Sequence, residues 1–460
     1  MIKINHNLTL EDMKEGLKKL WILSGEKIMT IENEFDFSKG SPVFTIRGKY
    51  STRGWTEWTL GFHYGSAILH YEISGEKEFL DIARLGTLGK MATHISHTGV
   101  HDHGFNILST YGNLLRLMNR GLLPPNEWEK RYYELALKIS GAIQATRWTE
   151  LTNGGYIYSF NGPHSLFIDS IRSVRSLAVS HLLGHMLFGE DDVKINLLER
   201  AISHLQTTAR YSVYYGKNRD QYDVPGRIAH ECVFNIKNGS YRNPSSQQGY
   251  SARTTWMRGL AWAILGFAEE LELIAHLSEG KQNLLGNQDE LKVILLRAAC
   301  VTADYYIDQT PTDGIPYWDS GAPGLNPIID YQHNPADPFN SFEPIDSSAA
   351  VIAAQGFLRL GRYLNSTGQK ENGKKYCQAG LTIFNTLLSE TYLCEDRRHQ
   401  GLVLHSIYHY PNGWDYKPER DKVPYGESSM WGDYHMRELG MFIHHLLNSG
   451  YEYKFFDCVK

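Results

Sequence analysis

Two kinds of helical segment take turns along the chain, and this alternation limits its folds more than any other feature. The first kind is amphipathic with charged flanks and covers about 8–28, 76–93, 126–147, 193–211, 289–309 and 371–391. In 8–28, Thr9 and Asp12 stand at capping-box spacing, with Met13, Leu17, Leu20 and Trp21 following on one face. The second kind is rich in Gly, Ala and Leu, with few charges past its first turn. It covers about 61–73, 102–120, 167–187, 255–274, 346–364 and 433–448. These segments are apolar most of the way round, as expected of helices enclosed by others.

Connector lengths give an independent check. Links from an apolar segment to the next amphipathic one are mostly short, such as 121–125 and 188–192. Most links in the other direction are long: 29–60, 148–166, 212–254, 310–345 and 392–432. In an up-down array all links of one direction fall on one end, and long loops on a rigid scaffold are where sites are built. The simplest closed arrangement is an all-α (α/α)6 barrel with six inner helices, six outer helices and one elaborated rim. Residues 1–460 read as one catalytic domain, since no linker rich in Pro, Gly or Ser divides them.

Composition narrows the function. Lys plus Arg is 46 against 51 Asp plus Glu, a net charge of −5, without the basic excess of a nucleic-acid binder. No run of eighteen apolar residues exists to span a membrane. The charged stretch Glu11 to Lys19 lacks the uncharged core of a secretion signal, which predicts a cytoplasmic protein. Cysteines 232, 300, 377, 394 and 458 are scattered and read as reduced thiols. The 28 Tyr and 10 Trp suit a site that stacks sugar rings.

Unusual polar residues cluster where long links enter inner helices. His101-Asp102-His103-Gly104-Phe105 enters the second and Ile168-Asp169-Ser170 the third. Axes of adjacent helices lie about 8–10 Å apart, so the two carboxyls can reach one substrate atom. A like-charge pair raises one pKa and supplies a proton donor beside an ionised partner. Asp346 and Asp433 read instead as helix caps. A metal at His101-Asp102-His103 lacks a third ligand at recognisable spacing, and no nucleotide-binding loop occurs, so no metal and no cofactor are expected. Trp58, Tyr250, Trp256 and Trp262 surround the acids in sequence and point to a carbohydrate cleft.

Taken together, these motifs resemble those of the unsaturated glucuronyl hydrolases, glycoside hydrolase family 88, from about residue 50 to 447. The resemblance rests on His101-Asp102-x-Gly104-Phe105, Ile168-Asp169, Gln248-Gly249-Tyr250 and Trp256-x-Arg258-Gly259-x-Ala261-Trp262. Pro316-Tyr317-Trp318-Asp319, Asp346-Ser347-Ser348 and Gly432-Asp433-Tyr434 extend it. It implies an (α/α)6 barrel that hydrates the C4=C5 vinyl ether of an unsaturated uronic acid left by polysaccharide lyases. Asp169 would protonate C4 and assist water addition at C5, with Asp102 tuning it. His101, His230, Gln248, Arg258, Trp262, Trp58 and Tyr250 would bind the unsaturated oligosaccharide, a sulfated disaccharide among the candidates.

The sequence departs from that pattern at Ala252, Arg253, Leu260 and His63, and in the length of links 29–60 and 212–254. Arg253 offers a cation for a sulfate on the second sugar, or is a solvated surface residue. Three alternatives stay open at this level. The first is an unsaturated rhamnogalacturonyl hydrolase or an inverting glycosidase. The second is an epimerase pairing His101 or His103 with His405, and the third a sugar-binding barrel without catalysis.

Overall fold

The computed structural model describes residues 1–53, 58–279, 287–419 and 421–459. Among them the expected alternation is present as twelve helical stretches. The outer helices are Lys14–Glu34, Lys77–Lys90, Glu127–Thr146, Leu197–Tyr211, Gln288–Gln309 and Lys370–Leu387. The inner ones begin with Leu60–Ser74. The second runs through His103–Ile107, a π-turn at Leu108–Gly112 and Asn113–Asn119. The third starts as a 3-10 turn, Ile168–Arg172, and continues as Val174–Leu182. Met257–Glu279, Ser347–Ser366 and Met430–Asn448 complete the set. Each inner helix packs on the next and the sixth packs on the first, which closes the (α/α)6 barrel.

Local chemistry explains the helix ends. Asn126, Asn196 and Asn287 cap outer helices by accepting backbone N–H groups one turn in. The first outer helix starts and ends about six residues later than the sequence pattern suggests. Thr9 and Asp12 bond each other ahead of the helix, and Ile28 and Ile31 prolong the buried stripe.

Two features of the barrel differ from the sequence reading. Inner helices carry buried charges in pairs: Arg116 with Glu72, Arg172 with Glu269, and Arg359 with Glu272. The long links also hold strands. Pro42–Ile46 pairs with Lys49–Thr52, and Trp148–Leu151 with Gly154–Ile157. A three-stranded antiparallel sheet joins Ser165–Phe167, Glu231–Phe234 and Tyr241–Ser245. That sheet positions much of the site. The buried core runs from Ile2 to Cys458, the five cysteines are free, and among the described residues no helix is long and apolar enough to cross a membrane.

Candidate active site

Where the second inner helix meets the third, a side chain on Gly104 would have no room. A Cβ there would stand 2.2 Å from Arg172 O and 2.6 Å from Ser173 Cα. Glycine therefore lets the two helix starts touch, and Ser173 Oγ and Arg175 Nη2 donate to His101 O and Gly104 O across the contact. Asp102 and Asp169 are thereby brought to one imidazole: His101 Nε2 lies 3.9 Å from Asp102 Oδ1 and 3.5 Å from Asp169 Oδ1. Gly104→Ala is expected to force the starts apart, cost about 1–3 kcal/mol of stability and lower kcat. Urea unfolding and steady-state kinetics measure the two effects.

Sheet pairing supplies the next residues. Ile168 N donates to His230 O at 2.9 Å, and Phe167 faces Glu231 in the ladder, so His230 arrives beside Asp169. The chain leaving the neighbouring strand carries Gln247, whose backbone N–H donates to His230 Nδ1 at 2.9 Å. An accepting Nδ1 leaves the proton on Nε2, a buried donor without a hydrogen-bond partner among the described residues. Burial holds the His230 pKa down to about 4, so the ring is neutral.

A cleft of about 400 Å³ opens over the acids. Asp102, Asp169, His101, Gln248, Arg258, Trp262 and Trp58 all line it, as the sequence motifs suggested. Two expected residues do not. His230 stands one layer back, its ring 4.5 Å from Phe167 and 4.9 Å from Trp256, because the sheet pairs behind the wall. Tyr250 is half exposed outside the lining, its loop held by a 2.9 Å bond from its amide to Asp319.

Arg258 is a positioning residue more than a free cation. Nη1 donates to Asp346 Oδ2 at 2.8 Å and to Ile407 O, and Nη2 to Gln248 Oε1 at 3.0 Å and Tyr408 O at 2.6 Å. Gln248, with its oxygen spent on Arg258, offers its amide N–H groups to the cleft. Asp346 caps its helix through Ser348 N, as expected, and also anchors Arg258. Asp433 is no cap: it accepts from Tyr50 Oη, Leu402 N and Val403 N, and Ser429 caps that helix.

The sequence reading missed Arg53, Phe160, Gln247, Tyr408, His409, Asn412 and Trp414, which also line the cleft. Phe160 stacks over His101, and Trp58 stacks on Trp431 at 5.2 Å. Burial keeps His409 neutral, its pKa near 4, with Arg258 and Arg53 adding to the effect. His103 turns away to Ser140 Oγ and His97 O at 2.7 Å each, so the alternate-residue chelate does not form. His405 is likewise committed, to Gly426 N and Thr391 O, which removes it from any acid–base pair in the cleft. Arg253 does not line the cleft; it lies over the Tyr222 ring in a separate groove.

The surroundings push the two acids in opposite directions. Burial raises the Asp102 pKa, helped by the Asp169 charge. For Asp169 burial acts the same way, but the His101 imidazole 3.5 Å away, with His230, reverses it and holds the carboxyl below its usual range. Burial opposes a charged His101, yet the two acids together raise its pKa. The pair thus favours a charged imidazole on His101 and a carboxylate on Asp169.

An acid pair around one imidazole, under aromatic walls on the rim of an (α/α)6 barrel, defines a carbohydrate-active barrel. No family model matches the chain. It is similar to an unsaturated glucuronyl hydrolase of Formosa agariphila, with 24% identity over 384 residues that cover 83% of this chain and 78% of that protein. An unsaturated chondroitin disaccharide hydrolase of Streptococcus agalactiae is 23% identical over 402 residues, 86% of this chain and 83% of that one. Among solved structures, the unsaturated glucuronyl hydrolase of Bacillus sp. GL1 superposes with a TM-score of 0.69 at 20% identity. The match covers 93% of this chain and 95% of that chain.

Proposed function

We propose that this chain is an unsaturated glucuronyl hydrolase of the family 88 type, built as one catalytic domain. It removes the 4,5-unsaturated glucuronic acid from the non-reducing end of lyase-made oligosaccharides. One observation carries the reading: carboxyls from neighbouring inner helices flank a single imidazole at the floor of an aromatic cleft. The names of the relatives agree with it.

The reaction needs a proton at C4 and water at C5. An anionic substrate adds negative charge beside Asp169 and displaces water, and both effects raise a carboxyl pKa. A proton then passes from His101 to Asp169 across their 3.5 Å contact and on to C4. As the double bond takes up that proton, Asp169 becomes the base that accepts a proton from the water attacking C5. The hemiketal so formed opens and expels the neighbouring sugar. The neutral His409 and the Gln248 amide hold the uronate and its hydroxyls, Trp58 and Trp262 wall the ring, and His230 supports that wall from behind.

The C4=C5 bond is conjugated to the carboxylate and absorbs ultraviolet light. Adding the protein to an unsaturated glucuronyl disaccharide is expected to abolish that absorbance and to leave saturated glucuronides intact. Unchanged absorbance across a panel of lyase products overturns the proposal. A cytoplasmic site of action belongs to the same proposal and is checked by fractionating cells.

A further inference from the structure

The loop that carries Gln247 and Gln248 into the cleft has a second face. Behind it lies a groove of about 590 Å³ walled by Arg219, Arg242, Arg253, Tyr222 and Tyr241, with Asp220 the one carboxylate among its described lining residues. None of the three arginines forms an ion pair with a described residue. Asp220 is spent on Tyr214 Oη and Tyr222 N. Asp223 nearby closes the turn by accepting from the amides of Gly216, Lys217 and Arg219.

Two of the cations, Arg253 and Arg219, are also held in place. Arg253 lies 4.8 Å over the Tyr222 ring and donates to its hydroxyl at 3.3 Å. Arg219 stacks between Tyr214 and Tyr241 at 4.4 and 4.8 Å and donates to Tyr211 O. Ring-stacked guanidiniums lose less freedom on meeting an anion than mobile side chains do. In a chain of net charge −5, two such groups and the exposed Arg242 facing one groove, beside the exposed Tyr222 ring, are suited to an acidic sugar.

Position links the groove to the cleft. The strand Tyr241–Ser245 forms one groove wall with Tyr241 to Pro244, and Gln247 already lines the cleft. At about 3.3 Å per extended residue, the two sites are on the order of 10 Å apart along the chain. Arg253 stands on the same loop, between the cleft residues Gln248 and Trp256.

We propose that this groove is a second carbohydrate subsite, holding the acidic groups of a substrate chain that continues beyond the sugar leaving the cleft. Those groups are sulfate esters or uronate carboxylates, both of which guanidinium binds by paired hydrogen bonds. The subsite makes the protein prefer longer acidic oligosaccharides over disaccharides. It rests on the proposed hydrolase activity for its meaning, though not for its detection.

Titration calorimetry of the full chain with saturated hexasaccharides tests it, because these ligands bind without being turned over. A chondroitin 6-sulfate hexasaccharide and an unsulfated hyaluronan hexasaccharide separate sulfate from carboxylate as the anchoring group. Arg242→Ala/Arg253→Ala, two exposed positions, is expected to weaken binding about tenfold and to leave hydrolysis of an unsaturated disaccharide unchanged. Tighter binding of the sulfated ligand assigns the groove to sulfate, and equal binding assigns it to uronate. If neither hexasaccharide binds the wild-type protein, or the double variant binds both as well as wild type, the subsite is refuted. Failure of the wild-type protein to consume any unsaturated disaccharide overturns the hydrolase reading alone.

Discussion

Asp169→Asn is expected to reduce kcat on an unsaturated disaccharide by about 10²–10⁴-fold, the range for losing a positioned general acid. KM should change little, because Asn keeps the shape and hydrogen-bonding reach of the side chain. The same residue would both give the proton to C4 and receive one from water, and an amide can do neither. The pH profile follows from the shared proton. His101 lies above its ordinary imidazole value and Asp169 below its ordinary carboxyl value. As pH rises through the raised His101 value, the trio loses its transferable proton and kcat/KM falls. In His101→Asn the charge that holds Asp169 down is gone, so its carboxyl titrates at higher pH, measurable by carbon NMR. A wild-type rate in Asp169→Asn would overturn the assignment and move the acid to Asp102, whose burial already keeps its pKa up.

The twelve helices were legible because their burial leaves a repeating mark on the sequence. Enclosed helices such as Ser347–Ser366 hide almost every side chain, whereas outer ones such as Leu197–Tyr211 hide one stripe. The acid pair was legible too, since it sits at helix starts that helical periodicity locates. His409 and Trp414 were not. They lie in the rim link after residue 388, where no periodicity operates, and they reach the cleft through Arg258 bonds to Ile407 O and Tyr408 O. The sequence signal that could have found them is the aromatic run Tyr408-His409-Tyr410 ahead of Trp414. His230 and Tyr250 were misplaced for a related reason. The position of His230 depends on the sheet register Phe167 to Glu231, and that of Tyr250 on the bond from its backbone N–H to Asp319, neither of which short strands and long links announce. Which of the two acids is favoured as a carboxylate was not legible, because the like-charge argument left out the His101 imidazole, which lies closer to Asp169 than to Asp102.

The largest loss of stability is expected from a residue beneath the cleft. Arg172 donates to Glu269 through Nε at 2.9 Å and Nη2 at 2.8 Å, and Arg175 adds a third bond at 3.3 Å. All three side chains are buried in the barrel. Burial works against the Glu269 charge, but Arg172, Arg175 and Arg359 outweigh it and hold the carboxyl below its usual range. Glu269→Gln keeps the volume and strands two guanidiniums without that counter-ion, a change that costs about 3–5 kcal/mol. The urea midpoint should fall with little change in slope. Its neighbour Glu270 is the control. Burial first, then the Glu269 charge, push the Glu270 carboxyl well above its usual range, so it holds a proton in the folded barrel. An acid that binds a proton more tightly when folded loses stability as pH rises from its unfolded value toward its folded one. Glu270→Gln removes that dependence and is expected to be as stable as wild type, or more so, at pH 7. Glu269 behaves oppositely: its contribution is present above the ordinary carboxylate value and is lost as pH falls through the depressed one. Arg172 ends the 3-10 turn Ile168–Arg172 whose second residue is Asp169, so the core charge also fixes the height of the proposed acid. Glu269→Gln should therefore lower kcat at temperatures where the barrel is still folded, while Glu270→Gln should not. Equal stability and equal activity in the two glutamine variants would show that the buried charges do not hold this turn.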